Sequence, residues 1–251
     1  MDVKEALQQQ WGSVAARYAT SAVHADGPDL SAMLQVAPLP TATVLDVGCG
    51  AGHTALAFAS HAQSVVALDL TEPMLAQVQR LAAERGITNI TTRHADVEQL
   101  PFVDASFNVV TSRYSAHHYG SPSQALVEIA RVLEPGGTFL LVDVVSPPDA
   151  AQDTFLNQIE VLRDPSHVRD HTVDQWQDMI EQAGLRAELL QTWLLYLDFA
   201  AWVTRMQTPA NAVAHIKRLF DQAPFPVRQA FAFAQDYSFT VPVALLRAKK
   251  I

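Results

Sequence analysis

The chain has 251 residues, 49% of them hydrophobic and 17% charged, which suits a packed globular core and excludes a disordered or collagen-like polymer. Its 17 basic and 26 acidic residues give a net charge of −9, which repels a nucleic-acid backbone, and the most basic stretch is the tail Arg247, Lys249 and Lys250. Cys49 is the sole cysteine, so no intrachain disulfide forms and a reducing compartment, the cytoplasm, is expected.

Residues 1–36 read as helical, with Trp11, Val14, Ala15 and Tyr18 on one face, and must cover the sheet or its cleft. From residue 44 short apolar runs alternate with amphipathic helices, the signature of a parallel sheet wound with βα units. Val44 to Val47 is a buried strand that enters the run Gly48-Cys49-Gly50-Ala51-Gly52 and then a helix to about Ser60. A second strand, Ser64 to Leu68, ends at Asp69, and Thr71 caps a helix with Met74, Leu75, Val78, Leu81 and Ala82 on one face. Ile90 to Arg93 is a third strand with Asp96 beyond it, and Phe107 to Thr111 a fourth. Ser121 to Gln124 reads as a capping box, Pro135-Gly136-Gly137 stops the helix it starts, and Thr138 to Val145 is a fifth strand.

After Pro147 and Pro148 two helices (about 151–163 and 172–183) precede a strand near Leu185 to Leu197. Helices over 199–235, broken at Pro209 and Pro224, precede a last strand near Tyr237 to Arg247. Pro242 in that strand suits an edge or a bulge, because proline cannot donate to the ladder. Neither a secretory leader nor a membrane span is expected, since Met1 to Glu5 lacks the basic-then-apolar pattern and Asp198 interrupts the most apolar stretch.

A glycine run between a strand and a helix is where a doubly wound sheet admits a nucleotide against its backbone. The dinucleotide pattern G-x-G-x-x-G/A is not met, because His53 stands at the third position and the spacing is G-x-G-x-G. Asp46 lies inside the strand, where a carboxylate is costly unless a partner such as a ligand amine or a backbone donor satisfies it.

Val44 to Gly52 resembles the first motif of class I S-adenosylmethionine-dependent methyltransferases. Asp69, Ala95-Asp96-Val97 with Leu100-Pro101-Phe102, Phe107 to Val110, and Arg131 to Gly137 resemble the later motifs in order and spacing, most closely those of the type 11 group that holds the ubiquinone and menaquinone methyltransferases. Asn108 departs from the Asp usual there, with no effect expected on binding. The resemblance implies one methyltransferase domain over 1–251. It has an α/β, Rossmann-like, doubly wound sheet of seven mostly parallel strands, a helical flap over 1–36, a cofactor core over 40–145, and helical cap elements over 147–184 and 199–235.

The resemblance also implies S-adenosyl-L-methionine as cofactor and a small-molecule acceptor. The Gly48, Cys49 and Gly50 backbone would lie along the methionyl and ribose part, with Asp46 on the ammonium and Asp69 on the ribose hydroxyls. Leu70 and Met74 would pack near adenine, Asp96 and the Val97 amide would read its edge, and Tyr18 would shield the sulfonium. Taken singly, Asp69 reads equally as a helix cap, Met74 as core and Asp96 as a loop carboxylate.

Arg113 to Tyr119 would face the reactive methyl, with Arg113 toward the cofactor and Tyr114 toward the substrate. Adjacent helical residues diverge by ~100°, so one of His117 and His118 is expected in the cleft as general base, with a plain structural histidine as the alternative. His167 and His171 stand four apart without the glutamate of a zinc-protease helix, which reads as a solvated lid face, and His167 is a candidate substrate contact. Two other readings stay open: a nicotinamide-dependent oxidoreductase, which the glycine spacing and Asp46 oppose, and a non-catalytic cofactor-binding domain. Phe155, Leu156, Trp176, Phe199, Trp202, Met206 and Phe220 read as core or as a pocket for an apolar acceptor.

Overall fold

Strands β1 (Thr43–Val47), β2 (Ser64–Asp69), β3 (Ile90–His94), β4 (Phe107–Arg113), β5 (Leu133–Val144), β6 (Leu185–Leu197) and β7 (Phe239–Lys250) form one sheet in the order β3-β2-β1-β4-β5-β7-β6. This is the arrangement in the computed structural model, which describes residues 4, 8, 10, 11, 27–39 and 41–251. β1 to β5 run parallel and β7 is antiparallel to both β5 and β6. The chain moves outward through β1, β2 and β3, then returns to β4 on the other side of β1. That reversal opens a crevice at the carboxyl ends of β1 and β4, where open α/β sheets bind ligands.

Alternation along β1 sends its residues to two cores. Leu45 and Val47 pack with Val110, Leu126, Ile129 and Ile180, against α4 (Pro122–Val132) and α6 (Val173–Gln182). Val44 packs with Met33, Phe58 and Val78, against α1 (Pro28–Val36), α2 (His53–Ala59) and α3 (Glu72–Glu84). A third cluster joins α5 (Ala150–Arg163), α7 (Phe199–Arg205), α8 (Ala210–Gln222) and α9 (Phe225–Ala230) to Leu197, Phe239 and Val241. It lies at the carboxyl edge of the parallel strands, because β7 runs opposite to β5. Phe155, Leu156, Phe199, Trp202 and Phe220 fill this cluster, Trp176 fills the first, and Met206 is buried as well. None of them lines the cleft described below.

Two local readings need correction. Pro242 lies in β7, an interior strand, beside β6 residue Leu194. Its carbonyl accepts from the Val145 amide just past the last β5 rung, so its missing N–H falls where β5 has ended and costs no rung with β6. Ser121 is the N-cap of α4, but its side chain makes no capping bond; its own amide donates to Glu98 Oε1 at 2.8 Å. The capping box is at α6 instead, where Thr172 and Gln175 exchange bonds. Among the described residues, no helix is long and apolar enough to cross a membrane.

Candidate active site

The glycine run turns directly off β1 into α2. Gly48 has φ +63°, and a Cβ there would stand 2.6 Å from Ser115 Oγ. Gly50 also has positive φ, +52°, yet a Cβ there would meet nothing within 4 Å. The first glycine is therefore demanded by the protein's own packing, and the second opens onto free space. Gly52, rather than the position of His53, packs the loop onto Val78. The free space is a cleft of about 980 Å³, its open mouth included.

Asp69, at the end of β2, forms one wall. Its Oδ2 accepts from the Gly50 amide and its Oδ1 from the Thr71 amide, both at 2.8 Å, so one carboxylate ties the loop to the start of α3. Burial pushes its pKa up, against the two amides. Leu70 and buried Met74 continue this wall, and Asp96 and Val97 line the cleft at the end of β3. Asp96 Oδ2 meets Lys4 Nζ at 2.5 Å, and Glu98 Oε2 takes the same ammonium at 2.7 Å. These two bonds hold Lys4 above the ordinary lysine range. Gln8 donates to the Leu70 carbonyl, so the N-terminal segment touches the cleft at several points.

Asp46 does not line the cleft. It shares the face of Val44, beneath the loop, is 1% exposed, and accepts from Thr111 Oγ1 at 2.7 Å. Its Oδ2 has no hydrogen-bond partner among the described residues, and burial raises its pKa to about 7 against the pull of Thr111 and Arg113.

At the end of β4, Arg113 lines the cleft and pairs through Nε with buried Asp29 of α1 at 2.5 Å. Tyr114 follows with φ +52°, an unusual conformation for a bulky residue, and also lines the cleft. Burial first, then Asp29, keeps its phenol above the usual range. Tyr119 closes the turn, its hydroxyl 2.9 Å from Ser112 Oγ.

The two histidines divide as the helical geometry requires. His118 lines the cleft and His117 does not. His118 Nδ1 lies 2.9 Å from the Ser166 carbonyl, and since a carbonyl only accepts, Nδ1 carries the proton and Nε2 the lone pair. Nε2 has no hydrogen-bond partner among the described residues. Burial, then the neighbouring His117, lowers the His118 pKa to about 4. The Trp11 ring stands edge-on to His118 at 5.2 Å, and its Nε1 donates to Ser166 Oγ.

His117 Nδ1 donates to Asp143 Oδ1 at 2.6 Å, and its amide donates to Oδ2 of the same carboxylate. Burial alone would depress its pKa, but the Asp143 charge and hydrogen bond, with Asp170 and Glu160, raise it to about 9. His167 is placed neither on a helix nor in solvent, contrary to the lid-face reading. It lies in the loop between α5 and α6, with its ring 5.5 Å from His117 and Nε2 3.3 Å from Asn157 Oδ1. It is outside the cleft lining, and burial takes its pKa to about 2. The described residues hold no group of three or more side chains able to bind a metal. Tyr18 and the rest of its proposed helical face beyond Trp11 lie outside the described residues.

The family described as a methyltransferase domain matches residues 45–141. The uncharacterized methyltransferase YcgJ of Bacillus subtilis is 37% identical over 239 residues, which covers 93% of this chain and 94% of that protein. The chain belongs to this methyltransferase family. The crystal structure of YcgJ superposes on the methyltransferase with a TM-score of 0.86, at 36% identity over 88% of this chain and 97% of that one. A putative methyltransferase from Bacillus halodurans C-125 gives the same TM-score at 35% identity, covering 89% of this chain and 99% of its own. A demethylmenaquinone methyltransferase of Clavibacter sepedonicus is 30% identical over 188 residues, 72% of this methyltransferase and 74% of that enzyme.

Sequence reasoning gave no role at the methyltransferase's cleft to Lys4, Asp29 or Asp143. Asp143 carried a usable signal, a lone carboxylate inside the apolar strand Leu140-Leu141-Val142-Asp143-Val144, as Asp46 does in β1. Lys4 and Asp29 had none, because each acts on partners more than eighty residues away.

Proposed function

We propose that this methyltransferase takes its methyl group from S-adenosyl-L-methionine and delivers it to a small-molecule acceptor held at the His118 end of the cleft. The observation that carries the reading is the Asp69 carboxylate at the end of β2, bonded to the Gly50 amide and lining the cleft that opens beside the sheet's reversal point. When bound, the cofactor supplies an electrophilic methyl on a sulfonium.

The residues fit such a group. The bare Gly50 backbone admits the methionyl and ribose part beside Cys49, and the remaining lone pairs of Asp69 accept the ribose hydroxyls. Leu70 and Met74 offer an apolar wall to adenine, and the Val97 amide and Asp96 read its polar edge, with Lys4 adjusting the charge of Asp96. Arg113, already oriented by Asp29, offers its guanidinium to the cofactor carboxylate. Asp46 acts from beneath the loop rather than by contact, holding β1 to β4 through Thr111.

At the other end of the cleft His118 Nε2 takes the proton that a phenolic, enolic or amine acceptor gives up, leaving an imidazolium that solvent later discharges. Tyr114 and Trp11 bound the acceptor and exclude water, so the protein's main work is alignment. Calorimetric titration with S-adenosylhomocysteine should give micromolar or tighter binding and no comparable heat with NAD or NADP. Preferential nicotinamide binding overturns the reading.

A further inference from the structure

Outside the cleft lining, the structure buries a set of charged groups that cofactor binding does not use. Asp143 is 1% exposed in β5, and among the described residues every bond it accepts comes from His117 or from its own strand: His117 Nδ1, the His117 amide and the Val144 amide. A carboxylate in such a place is sustained by a cation, and the ring of His117 is the one in contact with it. The His117 ring in turn lies 4.2 Å from that of His118, centroid to centroid.

The loop after α5 holds the His117 backbone and the His118 ring. Its Val168 and Arg169 amides donate to the His117 carbonyl at 2.9 and 3.0 Å, and its Ser166 carbonyl takes the His118 Nδ1 proton. One histidine is thereby set as a proton-bearing partner of a carboxylate, and its neighbour as a neutral ring with a bare Nε2.

We propose that His117 and Asp143 form a positioning pair for His118, a fixed neighbouring cation that keeps Nε2 bare and ready to accept the proton of the methyl acceptor. The inference rests on the reading of His118 as the base. Its physical ground is a contest of signs. Asp164 Oδ2 stands 3.9 Å from His118 Nε2 and would by itself draw a proton onto that nitrogen, spending the base before the acceptor arrives. The His117 cation opposes it from the other side, and the opposite displacements of the two histidines, to about 9 and about 4, accord with this.

The other charged groups in the neighbourhood are Glu160 and Arg163 from α5, and His167, Arg169 and Asp170 from the loop. Of these, Asp170 and Glu160 draw the His117 pKa upward, though burial pushes the Asp170 carboxyl itself well up, and His167 stays neutral at ordinary pH.

The test is a pH titration of the histidine ring nitrogens by ¹⁵N-resolved NMR on the full chain, in wild type, His117→Gln and His117→Lys. In wild type at pH 7, His118 should be neutral with its proton on Nδ1 and His117 doubly protonated. His117→Gln removes a unit charge at close range and leaves Asp143 uncompensated, so the His118 midpoint should rise by roughly 1 to 3 pH units. The acid limb of turnover should move up with it. His117→Lys, which keeps the charge, should hold both near their wild-type places.

An unmoved His118 midpoint in folded His117→Gln overturns the pair and leaves the base reading standing. If His117→Gln does not fold, the wild-type spectrum decides: a neutral His117, or a His118 proton on Nε2, at pH 7 overturns the proposal. A shifted midpoint with turnover of His118→Gln unchanged overturns the base reading itself, and with it the use proposed for the pair.

Discussion

Replacing Asp69 by alanine separates the two roles that its position offers. The carboxylate accepts from the Gly50 and Thr71 amides at 2.8 Å each, and in the proposed complex it also accepts both ribose hydroxyls. A hydrogen bond to a charged group contributes about 1.5 to 3 kcal/mol net. Because Asp69 lines the cleft, water can replace it at both amides, so Asp69→Ala should lower the stability of the ligand-free protein by about 2 to 4 kcal/mol rather than by the full pair. Loss of the ribose acceptor should weaken S-adenosylhomocysteine binding by a further ~1.5 to 3 kcal/mol, about 10- to 100-fold in Kd. Urea unfolding measures the first quantity, and calorimetry at a temperature where the variant is folded measures the second. A stability loss of the stated size with an unchanged Kd would refute the ribose assignment and leave Asp69 as a tie between loop and helix. An affinity loss without a stability loss would refute the tie.

The glycines of the loop should respond differently from one another. Gly48→Ala sets a methyl 2.6 Å from Ser115 Oγ at positive φ and should cost about 1 to 3 kcal/mol of stability, read by urea unfolding. Gly50→Ala meets no protein atom, so it should cost about 1 kcal/mol in stability but lose a larger share of cofactor affinity in calorimetry. His118→Gln should leave the Kd for S-adenosylhomocysteine unchanged while methyl transfer falls roughly 10²- to 10⁴-fold in a turnover assay. Stability should also depend on pH through His117, whose folded pKa, about 9, lies above the ordinary 6.5. The native state then holds a proton that the unfolded chain releases, so this contribution is full below pH 6.5 and is lost as pH rises through 9. The slope is about 1.4 kcal/mol per pH unit, and urea unfolding of His117→Gln over the same range should be flatter by that one proton.

The sheet was legible because strands buried on both faces write themselves as unbroken apolar runs, as in Leu140 to Val142, and because βα turns carry glycine where the backbone must bend sharply. The glycine loop, Asp69 and Asp96 were legible for the same reason, each standing at a strand's carboxyl end. The segment from His167 to His171 was misread because its charges resemble a solvated surface. In the fold Asp164, His167 and Asp170 are instead buried behind the cleft, bonded to Asn157 and Ser166 or set against the histidine pair. Ser121 was misread because the local pattern of a capping box says nothing of Glu98, which takes its amide from a loop before β4. The helical face of Trp11 was legible as a cover, but its partner Ser166, like the Asp96 partner of Lys4, is brought near only by the finished fold. Asp46 was placed on the right strand, but alternation turns it beneath the loop toward Thr111 rather than into the cleft.

A crystal structure of the methyltransferase with S-adenosylhomocysteine tests the central claim most directly. The account predicts both ribose hydroxyls within about 2.6 to 3.2 Å of the Asp69 carboxylate, adenine between Met74 and Val97, and the sulfur pointing toward the His118 end of the cleft. A complex with the adenine at the His118 end, or with Asp69 touching no part of the ligand, would contradict it.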